Sequence, residues 1–111
     1  MLTLNSIKSE IKTCLRDDPS VAHIIIFGSY ANGNLHEDSD VDLVVILKEK
    51  GINGTYRERL NRTLRISKLL NPLREHIAVD VIVYTKDEFN FLIKKGSPFL
   101  KEIKKKGFYL L

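Results

Sequence analysis

Apolar residues recur along this chain in two rhythms, and the alternation between them predicts its elements. Leu4, Ile7, Ile11 and Leu15 fall at helical spacing with Lys8, Glu10, Lys12 and Arg16 between them, an amphipathic helix ending near Asp17-Asp18-Pro19. Val21 to Phe27 is a short β-branched run closed by Gly28, which reads as a buried strand, and Ser29 to Gly33 as a short helical turn. Val41 to Leu47 is a second strand, and Lys48 to Gly54 a glycine-bearing loop. Thr55 is placed to cap a helix whose stripe runs through Leu60, Leu64, Ser67, Leu70 and Leu73, with Asn71-Pro72 disrupting it. Ile77 to Tyr84 is a third strand. Thr85 with Asp87-Glu88 opens a helix with Phe89, Leu92 and Ile93 on its apolar side, and Gly96-Ser97-Pro98 starts another through Lys106. Gly107 then releases an apolar tail, Phe108 to Leu111. The order α-β-α-β-α-β-α-α places the chain in the α/β or α+β class, around a small sheet.

Composition narrows the setting. The 111 residues, with 43% hydrophobic and 29% charged, fit one ordinary globular domain spanning 1–111. A single cysteine, Cys14, excludes an internal disulfide framework and a multi-cysteine zinc site, and beside the helical stripe it reads as packing. No apolar run approaches the ~18 residues of a membrane span, and the N-terminal stretch lacks the apolar core of a signal peptide, so no membrane association and a cytoplasmic location are expected. The net charge of +4 is uneven: residues 1–54 hold 5 Lys/Arg against 8 Asp/Glu, and residues 55–111 hold 13 against 6. A basic half attracts phosphates, an acidic partner or nucleic acid. The lysine-rich segment Lys101, Lys104, Lys105 and Lys106 reads first as a solvated helix face, and second as a direct nucleic-acid or partner contact.

Three carboxylates stand where strands disfavour them. Asp40 and Asp42 flank Val41 at the start of the second strand, and Asp80 lies between Val79 and Val81 in the third. Residues two apart in a strand share a face, so Asp40 and Asp42 point the same way with α-carbons about 7 Å apart. Close carboxylates repel unless a cation or proton lies between them. Aspartate oxygens suit magnesium, and the absence of a nearby cysteine argues against zinc. If the second and third strands are neighbours, Asp80 completes the set. The plainer alternative has Asp40 capping the strand, Asp42 facing solvent and Asp80 paired with a basic residue.

Gly28-Ser29 follows an apolar strand and precedes a helical turn. That order offers backbone N–H groups and a hydroxyl to a phosphate, and a glycine without Cβ admits it closely. Taken alone, the pair reads first as a plain strand-to-helix turn with Ser29 as N-cap. His23, His36 and His76 have no metal-ligand spacing. Tyr56, Arg57 and Arg62 are further candidates to line a cleft.

Taken together, Gly28-Ser29, ten residues, then Asp40-Val41-Asp42-Leu43, with Val79-Asp80-Val81 later, resembles the DNA polymerase β-like nucleotidyltransferase superfamily. The short length is similar to its minimal nucleotidyltransferases, the MNT proteins, which are often paired as antitoxins with HEPN-domain toxins. The resemblance covers about residues 20–111 and implies the polymerase β-like fold, a small mixed sheet with helices. It implies that Gly28 and Ser29 hold the terminal phosphates of ATP, and that Asp40 and Asp42 bridge two magnesium ions. Asp80 would bind the second ion and help deprotonate the acceptor. One departure is Asn32, where many relatives carry arginine near the phosphates.

The function the resemblance implies is magnesium-dependent transfer of AMP from ATP to a tyrosine hydroxyl of a HEPN toxin partner. By the same resemblance, larger relatives that modify antibiotics or RNA add a further domain to build the acceptor site, so a protein acceptor is the expectation for a chain this short. Two alternatives stand beside it: an antitoxin that neutralises by binding alone, and a subunit of a small-molecule nucleotidyltransferase.

Overall fold

The computed structural model describes residues 3–28, 40–51 and 54–111. Nine elements follow one another: α1 (Leu4–Leu15), β1 (Val21–Phe27), β2 (Val41–Leu47), α2 (Tyr56–Leu69), α3 (Asn71–Arg74), β3 (Val79–Thr85), α4 (Lys86–Lys94), α5 (Pro98–Lys106) and β4 (Phe108–Tyr109). The four strands form one sheet in the order β3-β2-β1-β4. β2 runs parallel to β3, while β1 is antiparallel to both β2 and β4. This mixed sheet with helices on it is α+β.

Strand alternation divides the core in two. Ile24, Ile26, Val41, Leu43, Val45, Leu47 and Val79 face α1, α2 and α3, meeting Ile7, Ile11, Leu15, Ile66, Leu70 and Leu73. Ile25, Val44 and Ile46 face the other way, onto Phe89, Leu100 and Ile103 of α4 and α5. A bulge near Ala22 lets Val21 join the same cluster as Ile24 although they differ in parity. Ile24 to Ile26 of β1 and Leu43 to Leu47 of β2 are buried on both faces, which is why these stretches read as unbroken apolar runs rather than alternating ones.

Four expectations shift. The buried stripe passes through Ile66 of α2 and continues beyond its end to Leu70 and to Leu73 of α3, while Leu60 and Leu64 are 41% and 46% exposed. Positions i, i+4 and i+7 from Ile66 form one stripe too, and this one includes Arg62, whose guanidinium is held by Glu88 at 3.2 Å with side chains only 14% and 12% exposed. Arg62 therefore ties α2 to α4 and is not available to line a cleft. The helix broken at Asn71-Pro72 restarts as α3, where a proline in the first turn loses no hydrogen bond. β3 begins at Val79 rather than Ile77, because the Ile77 N–H still donates to Leu73 O at 3.1 Å while Arg74 clasps Val79 O. The apolar tail is also a strand: Leu110 N–H donates to Ile24 O at 2.8 Å, closing the β1 edge.

α4 starts on a capping box. The buried Thr85 hydroxyl accepts from Glu88 N–H at 3.0 Å and donates to Gly51 O at 2.7 Å, fastening the loop after β2 to the end of β3. Among the described residues no helix is long and apolar enough to cross a membrane.

Candidate active site

Register brings the carboxylates together. In the parallel pair β2 and β3, Asp42 stands opposite Asp80, and in the antiparallel pair β1 and β2, Phe27 stands opposite Asp42. The row Phe27, Asp42, Asp80 thus crosses three adjacent strands on one face, the face that α4 and α5 cover at its other end. Neighbouring strands lie about 4.8 Å apart, so Asp42 and Asp80 are near neighbours with nothing between their strands. Asp40 precedes the first residue of β2 and is exposed, Asp42 is half-buried, and Asp80 is exposed on the outer strand.

Asp42 feels both burial and its two acidic neighbours. Burial pushes the Asp42 carboxyl above its ordinary value, and the negative charges of Asp80 and Asp40 push it further. No lysine or arginine of the described residues forms an ion pair with any of the three. The paired-with-a-base alternative for Asp80 thus finds no partner there, and Asp42 does not face open solvent.

Gly28 sits against this cluster. Its φ is +75°, a conformation that side chains disfavour, and a Cβ built on it would lie 2.5 Å from Asp42 Oδ2. The end of β1 therefore turns away directly beside the Asp42 carboxylate, with only a glycine's bulk in between. Ser29, like Tyr30, Asn32 and His36, lies outside the described residues.

A divalent cation fits this donor set. A half-buried carboxylate raised by two like charges is the arrangement that a cation relieves, and all the donors are hard oxygens. Among the described residues no three His, Cys, Asp or Glu side chains close into a ready-made metal cage.

Other candidates fall away from this face. Tyr56 is exposed at the start of α2. His23 is exposed and its Nδ1 lies 3.1 Å from Leu111 O. Cys14 packs against the core, and burial raises its thiol pKa. Lys101, Lys104 and Lys105 are exposed, as a solvated face requires, whereas Lys106, also exposed, lies against the end of β1 on the carboxylate face. Phe27 escaped notice in the sequence because nothing in an apolar run marks its last member as the neighbour of a carboxylate.

Comparison with known proteins follows the same lines. Residues 8–109 match the family described as nucleotidyltransferase domain. A candidate protein adenylyltransferase of Methanocaldococcus jannaschii is 32% identical over 83 residues, covering 75% of this chain and 77% of that protein. The protein adenylyltransferase MntA of Thermococcus cleftensis is 46% identical over 52 residues, 44% of this chain and 52% of that protein. Among solved structures, a toxin–antitoxin complex with AMP-PNP superposes with a TM-score of 0.60 at 25% identity, covering 94% of this chain and 72% of that one.

Proposed function

The chain belongs to the nucleotidyltransferase domain family, and from that premise we propose that it transfers AMP from ATP to a tyrosine hydroxyl of a HEPN-domain toxin, acting as that toxin's antitoxin. One observation carries the reading: Asp42 faces Asp80 in register while a glycine turn packs against the Asp42 carboxylate. The crystallised toxin–antitoxin relative with AMP-PNP supports both the nucleotide and the kind of partner.

Each residue then has a task. The turn at Gly28-Ser29 holds the β- and γ-phosphates, because a backbone without Cβ admits them beside Asp42. Asp40 and Asp42 would hold two magnesium ions with the triphosphate, and Asp80 would share the second. Bound there, magnesium neutralises phosphate charge and lowers the pKa of the attacking hydroxyl. Asp80, on the open outer strand, faces the acceptor and takes up the proton its hydroxyl loses. The tyrosine oxygen forms the new bond to the α-phosphorus as the bond to pyrophosphate breaks, and the pyrophosphate leaves on the Gly28 side. The placing of Asp80 on β3 and Gly28 at the end of β1, on either side of Asp42, supports holding the attacking and leaving oxygens on opposite sides of the phosphorus.

The test is label transfer to the co-expressed toxin from ATP labelled at the α- or the γ-phosphate. Label on the toxin from α alone is expected. Label from γ would make the enzyme a kinase. A tight but unlabelled complex would make the protein an antitoxin that acts by binding alone.

A further inference from the structure

On the same face as the carboxylates, a cleft of about 270 Å³ lies between the end of β1 and α5. It is lined by Phe27, Phe99 and Ile103, by Glu102 with Lys106, and by Gly28 and Gly107. The Phe27 and Phe99 rings meet edge to face, with centroids 5.6 Å apart and planes at 82°, yet Phe99 stays 44% exposed. Lys106 Nζ and Glu102 Oε1 pair at 3.0 Å.

We propose that this cleft receives the nucleobase of the nucleoside triphosphate, with Phe99 as its stacking surface. The assignment rests on the nucleotidyl-transfer reading above and adds to it the residues that hold the base. Position is the first argument. Phe27 is the register partner of Asp42 and the residue before Gly28, so the cleft begins where the phosphate turn begins. Chemistry is the second. Two phenylalanines and an isoleucine suit a flat ring, and the Glu102 carboxylate repels phosphate while accepting from the exocyclic amine of a base. Lys106 can donate to a ring nitrogen or carbonyl from the same side. Size is the third: the volume falls just below the ~300–1,000 Å³ of clefts that hold whole drug-sized ligands, so it suits one ring system rather than a complete nucleotide.

The acceptor's ring is the competing occupant, and strand order disfavours it. Asp80 on β3 and Phe27 on β1 lie on opposite sides of Asp42, roughly 10 Å apart by two strand spacings. An acceptor activated at Asp80 approaches from the β3 side, leaving the β1 side to the nucleotide.

The experiment is calorimetric titration of wild type, Phe99→Ala and Phe99→Tyr with magnesium-ATP, and separately with magnesium tripolyphosphate, which has the phosphates and no base. Phe99→Ala is expected to weaken ATP about tenfold, the loss of one stacked ring. Tripolyphosphate affinity should not change, and Phe99→Tyr should restore ATP binding. Unchanged ATP affinity in Phe99→Ala overturns the proposal, and so does an equal loss for both ligands, which would assign Phe99 to the fold or the phosphates. A loss confined to KM for the protein acceptor overturns it in favour of the acceptor ring. A wild type that binds ATP no better than tripolyphosphate refutes the base site and leaves the transferase reading standing, whereas one that binds neither refutes both.

Discussion

Asp42→Asn is expected to make the protein more stable and inactive at once. Asparagine keeps the shape of the side chain and removes the charge that Asp40 and Asp80 repel. Two carboxylates about 5 Å apart interact by ~3 kcal/mol at an effective dielectric near 20 and by less than ~1 kcal/mol in water. Asp80 is exposed, so solvent screening brings the relief to about 1 kcal/mol. For a domain of this size that raises the melting temperature by roughly 4 °C. The sign with pH follows from the direction of the shift. The folded-state pKa of Asp42 lies above its ordinary value of 3.8, so wild type is penalised as pH rises through that value to the folded one. Below it both states are protonated and the advantage of the variant disappears. The assay is thermal melting in EDTA at pH 7 and again near pH 3.5, with label transfer measured on the same samples. Transfer should fall by a factor of about 10²–10³ or more, the usual loss for one electrostatic group. A variant that melts below wild type at pH 7, or whose advantage persists unchanged at pH 3.5, would refute the reasoning about charge repulsion.

Gly28→Ala should cost about 1–2 kcal/mol from the positive φ alone and should also weaken ATP binding, because its methyl group meets Asp42 Oδ2. Wild-type melting and turnover in that variant would show that the turn does not pack as described. Asp80→Ala should lower the single-turnover rate far more than ATP affinity, and a fall in both by the same factor would remove Asp80 from the acceptor side. Burial alone would raise the Asp18 pKa, but the Ser20 N–H and O–H and the Arg65 guanidinium more than offset it, leaving the group below its ordinary 3.8. Its stabilisation is therefore present above that value and lost as pH falls through the folded pKa, so Asp18→Asn should cost about 1 kcal/mol at pH 7 and nothing in strong acid, read from melts across pH.

The three long strands were legible because their apolar runs are dense and bounded by Asp, Gly and Thr, and the Asp40/Asp42 pair because aspartate at a strand is rare enough to need a reason. That Asp80 faces Asp42 was conditional in the sequence, since strand neighbourhood is a tertiary fact: nothing local says that β3 runs parallel beside β2 rather than elsewhere. The inward face of α2 was misassigned for a related reason. Leu70 and Leu73 continue a stripe from Leu60 and Leu64 as well as one from Arg62 and Ile66, and only packing against the sheet decides between the two, with an arginine on the buried one because Glu88 awaits it. β4 was invisible because two residues, Phe108 and Tyr109, are too few to show a period, and their pairing depends on the open edge of β1.

The pairing of β4 with β1 also sets a clock. β1 is finished when residue 27 is made, but the strand that closes its edge arrives only with residues 108 and 109. At ~5–20 residues per second of synthesis the gap is roughly 4–16 s. For that interval the side of β1 carrying Ile24, Ile25 and Ile26 lacks its partner, and an unpaired isoleucine-rich edge is a template for another chain. Production yield should therefore depend on the rate at which residues 28–109 are translated, and a fragment stopping before Phe108 should aggregate even with every carboxylate of the site in place.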